Sequence, residues 1–312
     1  MSSHINSYTA AGNVPVKLLQ DTYVINELKK GNVPCRHIQL IPTNRCNLSC
    51  PWCSCAEEDR KKELNYEEIC SIISNLPESV AAVTITGGGE PLLHPYIVAI
   101  ALLFKMKKIK VGLVTNGTLL HKTNGVLWDS VDWCRISVGD GRNIGQEYFD
   151  RIEKVTSEYP HVDWAFSYVL SSTPDIWALE SAIDLAAKQN FTHVRVVTDL
   201  LSVEDSPIEK IESELGLGRD LSHVIFQNRK KYEQGGKCWM GLLKPVIGAD
   251  GISYQCCGAQ YALDPPSKKM PEELKCNGDG AFDGTICKRC YYMDYNRLIE
   301  MFMQKLEHSE WV

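Results

Sequence analysis

The chain has 312 residues, enough for two units at the usual ~100–200 residues per domain, or for one barrel-sized domain with an appendage. With 44% hydrophobic and 23% charged residues it has ordinary globular composition, which excludes disordered and collagen-like chains. The balance of 33 Lys+Arg against 39 Asp+Glu leaves a net charge of −6, so no extended nucleic-acid surface is expected, although a local basic groove is still allowed. The longest apolar run, Tyr96 to Phe104, is far shorter than the ~18 residues of a membrane span, and the start Met-Ser-Ser-His-Ile-Asn lacks a basic-then-apolar signal pattern. No membrane partner and a cytoplasmic location are expected.

Residues 1–35 read as an N-terminal helical extension. Its amphipathic stretch runs from Val16 to Lys30, with Leu18, Ile25 and Leu28 near helical spacing and Gly31 as a stop. From residue 36 to 200, short β-branched runs alternate with helical segments, the pattern of a parallel sheet with crossover helices. Six strands are predicted: His37–Pro42, Val80–Thr86, Lys110–Thr115, Asp132–Val138, Asp163–Leu170 and Thr192–Thr198. Helices are expected near 65–75, 95–107, 123–129, 145–157 and 175–189. Six such units curl into a partial, TIM-like (β/α)6 barrel of the α/β class, with its chemistry on loops at the C-terminal strand ends. Residues 201–236 are charged and polar, with Ser206-Pro207 and Gly235-Gly236 as breakers, and read as a linker containing a helix. Residues 237–312 form a small cysteine-rich domain and a C-terminal helix, with Asp250-Gly251 marking a hairpin.

Thirteen cysteines in a chain of this size and expected compartment point to metal rather than to disulfides. Cys35, Cys70 and Cys134 are isolated and read as buried packing residues. The others fall into two groups: Cys46, Cys50, Cys53 and Cys55, then Cys238, Cys256, Cys257, Cys276, Cys287 and Cys290.

The first group follows the first strand as Cys46-Asn-Leu-Ser-Cys50-Pro-Trp52-Cys53, a C-x3-C-x2-C loop. Three thiolates suit an iron–sulfur cube with one iron left open. A structural zinc site wants four ligands and would need Cys55 as the fourth. The motif, with an aromatic residue before its last cysteine, resembles the signature of the radical S-adenosylmethionine (SAM) enzymes. That resemblance implies a 4Fe-4S cluster on Cys46, Cys50 and Cys53 whose open iron chelates SAM. Reductive cleavage then yields a 5′-deoxyadenosyl radical that takes hydrogen from a substrate carbon. It also implies that Gly88, Gly89 and Glu90 of Thr86-Gly-Gly-Gly-Glu-Pro91 hold the SAM amino group, where glycines permit close approach and an acid meets an ammonium. Asn116 and Ser137, after strands three and four, would meet the ribose, and Trp52 would border the adenine. Strand four reads Ser-Val-Gly-Asp where many relatives have Ser-x-Asp-Gly, which leaves the role of Asp140 open.

The second group, with Cys238, Gly251 and Cys256 in C-x12-G-x4-C order and Cys287-Lys-Arg-Cys290 to close it, resembles the SPASM and twitch auxiliary-cluster domains of that family. Two fully ligated cubes need eight thiolates and only six cysteines are available here, so one auxiliary 4Fe-4S cluster is expected on Cys238, Cys256, Cys287 and Cys290. Cys276 is an alternative ligand, and a zinc ribbon is the alternative site.

The resemblance implies a substrate radical that is either oxidised by the auxiliary cluster or quenched in a redox-neutral epimerisation or isomerisation by a thiol, for which Cys55, Cys257 and Cys276 are candidates. Asp199, ending strand six, is a candidate acid or base, with a capping or linker role as its plainer reading. A small molecule or nucleotide is expected ahead of a peptide, because residues 1–35 leave no room for a leader-binding domain of ~80 residues. The expected electron donor is a flavodoxin or ferredoxin. A non-catalytic electron-transfer or zinc-binding scaffold is the remaining reading, and it leaves Gly-Gly-Glu unexplained.

Overall fold

The computed structural model describes residues 8, 14–142, 144–201, 207–217, 219–228, 232–278 and 280–305. The single helix expected near the start is two, α1 (Val14–Gln20) and α2 (Thr22–Lys29). They break at Asp21, which caps α2 by accepting from the Val24 amide at 3.2 Å and pairs with Arg36 at 2.7 Å.

A parallel sheet follows, built by strand–helix alternation: β1 (His37–Leu40), α3 (Tyr66–Ser74), β2 (Ala82–Ile85), α4 (Ile97–Met106), β3 (Lys110–Thr115), α5 (Gly125–Ser130), β4 (Trp133–Gly139), α6 (Gln146–Glu158), β5 (Asp163–Leu170), α7 (Ile176–Lys188) and β6 (His193–Thr198). The region expected to be a linker adds a seventh unit, α8 (Ile208–Leu215) and β7 (Val224–Gln227), and β7 pairs parallel with β6. The barrel therefore has seven parallel strands in sequence order. Only four residues of β7 pair, and charged neighbours hide them in the sequence.

Alternation along the strands sets the two faces of the wall. Ile38, Leu40, Val83, Ile85, Val194 and Val196 bury against the helices in the main core. Gln39, Thr84, Gly112, Arg135, Arg195 and Gln227 line the lumen. The inside of this barrel is polar and open, unlike the packed interior of a closed eight-fold one.

Beyond the barrel come β8 (Lys237–Cys238), α9 (Met240–Leu243), β9 (Val246–Ile247), β10 (Ser253–Tyr254), α10 (Ala259–Ala262), β11 (Phe282–Asp283) and α11 (Met293–Met303). The predicted hairpin is β9–β10, its turn made by Gly251 at φ +76°. Its β9 strand adds parallel to β1, with Gln39 opposite Val246, so the C-terminal unit extends the barrel sheet itself. β8 and β11 form a separate two-stranded ribbon. The N-terminal helices pack on this unit: Leu18, Val24 and Leu28 share a core with Met240, Leu243, Tyr295 and Ile299. Among the described residues no helix is long and apolar enough to cross a membrane. Of the three isolated cysteines Cys134 is buried, whereas Cys35 and Cys70 are only half-buried.

Candidate active site and cysteine cage

The first cysteine loop leaves β1 through a closed neck. Thr43 bridges antiparallel to Glu63, the Asn44 amide donates to the Lys62 carbonyl at 2.9 Å, and Arg45 pairs with Glu63 at 2.6 Å. Cys46, Cys50, Cys53 and Cys55 lie on the head of this loop. The Cys53 amide donates to the Cys50 carbonyl at 3.1 Å, a turn that gathers these two cysteines, and burial pushes the Cys53 thiol up. Trp52 lies flat under Arg142, 4.8 Å from its guanidinium carbon, and donates its indole N–H to the Asp140 carbonyl at 2.9 Å. A Cβ on Gly139 would stand 2.7 Å from the Trp52 ring, so that glycine makes room for it.

The glycine tract has an equally local reason. A Cβ on Gly88 would fall 2.0 Å from Asn44 Oδ1, and one on Gly89 would fall 1.9 Å from the Arg45 carbonyl oxygen. The Gly89 and Glu90 amides donate to the Thr43 and Arg45 carbonyls at 3.0 and 2.7 Å, which fixes the tract against the entry to the cysteine loop. Glu90 is 1% exposed, and burial pushes its carboxyl up against the opposing pull of its donors. Those donors are the Leu92 amide and Thr115 hydroxyl to Oε1, at 3.1 and 2.7 Å, and the Asn116 amide to Oε2 at 2.6 Å. The carboxylate ties β2 to the end of β3. Asn116 passes the link on, donating its side-chain amide to Asn47 Oδ1 inside the cysteine loop at 2.9 Å.

Ser137 lies on β4, and its carbonyl accepts from Arg142, which also donates Nε–H to Cys50 Sγ at 3.1 Å. Asp140, left open by the sequence, spends its carboxylate on the next connection. It accepts from the Ser171 and Asp175 amides at 2.6 and 2.8 Å and from the Tyr168 hydroxyl. The Asp199 carboxylate accepts from the Leu201 amide at 2.9 Å, and Asp199 is not among the described residues lining the lumen. Cys276 lies near the Gly241 carbonyl and is not among the residues lining the lumen, and burial pushes its thiol up to about 11. Cys55 and Cys257 do line the lumen. Burial pushes Cys55 up to about 12, and Gln260 reaches its sulfur at 3.6 Å; Cys257 Sγ is 2.8 Å from the Tyr292 hydroxyl.

In the C-terminal unit Cys238, Cys256, Cys287 and Cys290 line one small cavity that Cys257 and Cys276 do not touch. Glycines shape it, for a Cβ on Gly235 would stand 2.8 Å from Cys287 Cβ. Backbone pairing holds the closing cysteines, with Gly235 N–H to the Cys287 carbonyl at 2.7 Å and Cys290 N–H to the Glu233 carbonyl at 2.8 Å. Burial pushes Cys238 and Cys290 up, Cys287 up to about 12, and Cys256 well up, so a metal cluster entering this cage must displace protons. Among the described residues no three Cys, His, Asp or Glu side chains converge as ligands of one metal ion do. The thiolates of a cube each bind a different iron and do not need that convergence.

One cavity of about 1910 Å³ joins these parts. Its wall includes Cys55, Gly87, Cys257 and Cys290, Arg135 and Arg195, and Lys110 and Asp132.

Residues 40–138 match the Radical SAM superfamily. The chain carries a Radical SAM domain. A match of this segment to the Radical SAM superfamily implies SAM and a 4Fe-4S cluster, and the three-cysteine loop beside a glycine cradle suits both. Over 128 residues the chain is 34% identical to the GTP 3',8-cyclase of Chlorobaculum tepidum, covering 39% of this chain and 35% of that protein. Over 170 residues it is 25% identical to the Fe-coproporphyrin III synthase of Methanosarcina barkeri, covering 53% of this chain and 40% of that protein. The matches thus span less than half the length of these curated relatives. Beyond the Radical SAM segment the fold extends further: SuiB of Streptococcus suis, solved bound to precursor peptide SuiA, superposes with a TM-score of 0.57 at 14% identity over 85% of this chain and 68% of its own.

Sequence reasoning missed Arg142, Asn47, Asn44 and Gln260. Arg142 follows the strand-four tip that was already singled out, and Asn47 lies within the cysteine motif, so both positions were in view. Nothing in the sequence ties Gln260 to Cys55, from which it is 205 residues distant.

Proposed function

We propose that this Radical SAM enzyme oxidises a small molecule or nucleotide, with Cys46, Cys50 and Cys53 holding the SAM-binding cluster and Cys238, Cys256, Cys287 and Cys290 holding an auxiliary 4Fe-4S cluster. When bound and reductively cleaved, SAM supplies a 5′-deoxyadenosyl radical that removes hydrogen from a substrate carbon. The chain's own task is orientation and exclusion. Gly88 and Gly89 present backbone to the SAM amino group, and Glu90 holds that backbone to Asn116 and hence to the cysteine loop. Trp52, braced by Asp140 and Gly139, borders the adenine, and Asn116 and Ser137 stand on the ribose side. Residues 36–228 then form the barrel and 232–305 the auxiliary unit.

The observation that carries the oxidative reading is that Cys290, a proposed auxiliary ligand, lies on the wall of the same cavity as Cys55 and Gly87. A substrate radical formed in that cavity shares its wall with a ligand of the proposed electron acceptor. The names of the curated relatives, a GTP cyclase and a coproporphyrin synthase, support a small-molecule substrate, and reduction of the first cluster falls to a flavodoxin or ferredoxin. A second reading, redox-neutral with a thiol as hydrogen donor, is favoured by the Cys257–Tyr292 contact on that wall. Anaerobically reconstituted protein is expected to hold about two cubes per chain and to form 5′-deoxyadenosine from SAM with dithionite. Replacing Cys46, Cys50 and Cys53 with Ala leaves about one cube and no cleavage. Zinc in place of iron at either site, or cleavage surviving the triple replacement, overturns the assignment.

A further inference from the structure

The four thiols of the C-terminal cage are not held alike. Cys238 lies between two residues that α11 grips: Lys237 pairs with Glu300 at 2.7 Å, and the same carboxylate oxygen accepts from the Trp239 indole N–H at 2.9 Å. One turn earlier on α11, Asn296 accepts the Trp239 backbone N–H on Oδ1 at 2.8 Å. Asn296 is 1% exposed, a costly place for an amide unless both of its ends are satisfied. Its Nδ2 is buried and makes no hydrogen bond of good geometry among the described residues.

Cys238 is the group on which that orphaned donor acts. Burial pushes the Cys238 thiol up, and the Met240 amide, the Asn296 side chain and the Gly241 amide oppose the push. A thiol accepts hydrogen bonds weakly, whereas an ionised acceptor receives stronger ones, so the Asn296 amide suits a metal-bound thiolate better than a free Cys238. The other cage thiols are served differently. Cys290 Sγ accepts from the Tyr292 amide at 3.4 Å, and the Gly258 amide acts on Cys256. Burial and the neighbouring Cys290 and Cys238 raise Cys287, with no donor opposing them among the described residues. Hydrogen bonds to its sulfurs help set the reduction potential of an iron–sulfur cluster, because an added electron increases the negative charge that the donors stabilise.

We propose that Asn296 is a positioning residue of the auxiliary site, which donates Nδ2–H to the Cys238 sulfur when that thiolate binds the cluster and thereby makes the cluster easier to reduce. One electron enters, the charge of the cluster falls by one, and the amide keeps its proton. The substrate radical supplies that electron in the proposed reaction, and dithionite supplies it in the test. This deepens the reading of Cys238, Cys256, Cys287 and Cys290 as a 4Fe-4S site and rests on it.

The test reads a potential rather than turnover. Reconstituted protein is titrated with dithionite and followed by EPR, the auxiliary signal being the one that persists when Cys46, Cys50 and Cys53 are replaced by Ala. Asn296→Leu is neutral and similar in size, and it removes the donor without adding charge. It is expected to lower the reduced-to-oxidised ratio of the auxiliary signal about tenfold at a fixed ambient potential, ~59 mV for one electron. Trp239→Phe loosens the grip of α11 by removing the bond to Glu300 and leaves the Asn296 donor in place. It is expected to lower the melting temperature without moving the midpoint. Should Asn296→Leu fail to fold or to keep its cluster, the unaltered Asn296 decides: in protein whose asparagine side chains carry isotopically labelled nitrogen, the reduced auxiliary signal is expected to show a hyperfine coupling to that nitrogen. An unchanged midpoint in folded Asn296→Leu, an equal shift in Trp239→Phe, or absence of the nitrogen coupling overturns the proposal and leaves the auxiliary cluster standing. An iron content of only about one cube in the parent protein overturns both.

Discussion

At the scale of single residues, the buried groups around the site have two kinds of work, and their protonation separates them. Glu90 accepts three donors through two oxygens, so Glu90→Gln removes one acceptor and turns an amide N–H₂ toward either Asn116 N–H or the Leu92 and Thr115 donors. The expected cost is ~1–3 kcal/mol of stability, read as a lower melting temperature alongside weaker SAM binding. A variant that melts like the parent and loses only SAM affinity shows that the carboxylate serves the cofactor directly. His193 gives a pH signature. Burial and its arginine neighbours put its folded value at about 3, against 6.5 in the free side chain. Between those values the unfolded chain binds a proton that the folded one refuses, so stability is fully present above about 6.5 and falls as pH drops toward 3. At pH 5.5 the expected loss from this one group is about 1.4 kcal/mol relative to pH 8. His193→Gln removes that increment, and the melting temperature of the variant changes less with pH across this window than that of the parent. Equal pH slopes in both proteins refute the assignment to His193.

Elements show why the glycine tract is not interchangeable with any turn. Gly89 lies where its missing Cβ would meet a backbone carbonyl, and a carbonyl held by the Glu90 amide does not yield as a side chain end does. Gly89→Ala is expected to push the cysteine loop off β2 and to weaken SAM binding about tenfold or more, followed as the shift of the reduced-cluster EPR signal on adding SAM. Gly145→Ala, at a position with open space around it, is the matched control and leaves that shift unchanged. Much of this architecture was legible in the sequence. The first six strands fall within a residue or two of the predicted runs because each alternates aliphatic residues toward the helices with others toward the lumen. β7 escaped because four paired residues among charged neighbours carry too little of that alternation. The break at Asp21 escaped because a capping aspartate inside a continuous apolar periodicity looks like an ordinary polar position. Strand-end position alone does not assign Asp199, since a carboxylate there satisfies its own turn as readily as a substrate. Counting limits the C-terminal cysteines to one cube and the family resemblance picks the four, whereas the place of Cys276 relative to the cage depends on how the chain folds after Gly258, which no spacing rule gives.

For the whole molecule the decisive feature is continuity. The β9–β10 hairpin extends the barrel sheet beyond β1, the N-terminal helices brace α11 from behind, and one lumen connects the first cysteine loop to Cys257 and Cys290. The first cysteine loop through Cys55 and the C-terminal cage through Cys290 therefore reach a shared space, and the roles of the two sites separate experimentally. Replacing Cys287 and Cys290 with Ala empties the proposed auxiliary site and leaves Cys46, Cys50 and Cys53 intact. If the auxiliary cluster accepts the substrate electron, this variant still forms 5′-deoxyadenosine, because hydrogen abstraction needs only the first cluster, while the oxidised product disappears. Extracts of the host supply the unidentified substrate, and deuterium carried into 5′-deoxyadenosine from a labelled pool reports abstraction independently of product. A thiol donor gives the opposite pattern. Its S–H exchanges with solvent, so product made in heavy water gains one deuteron at the attacked carbon, and Cys257→Ala, rather than loss of the auxiliary site, stops the reaction after abstraction. A dehydrogenated carbon keeps no returned hydrogen. Product isomeric with substrate and singly deuterated would therefore end the oxidative reading and assign the lumen-facing thiols the closing step.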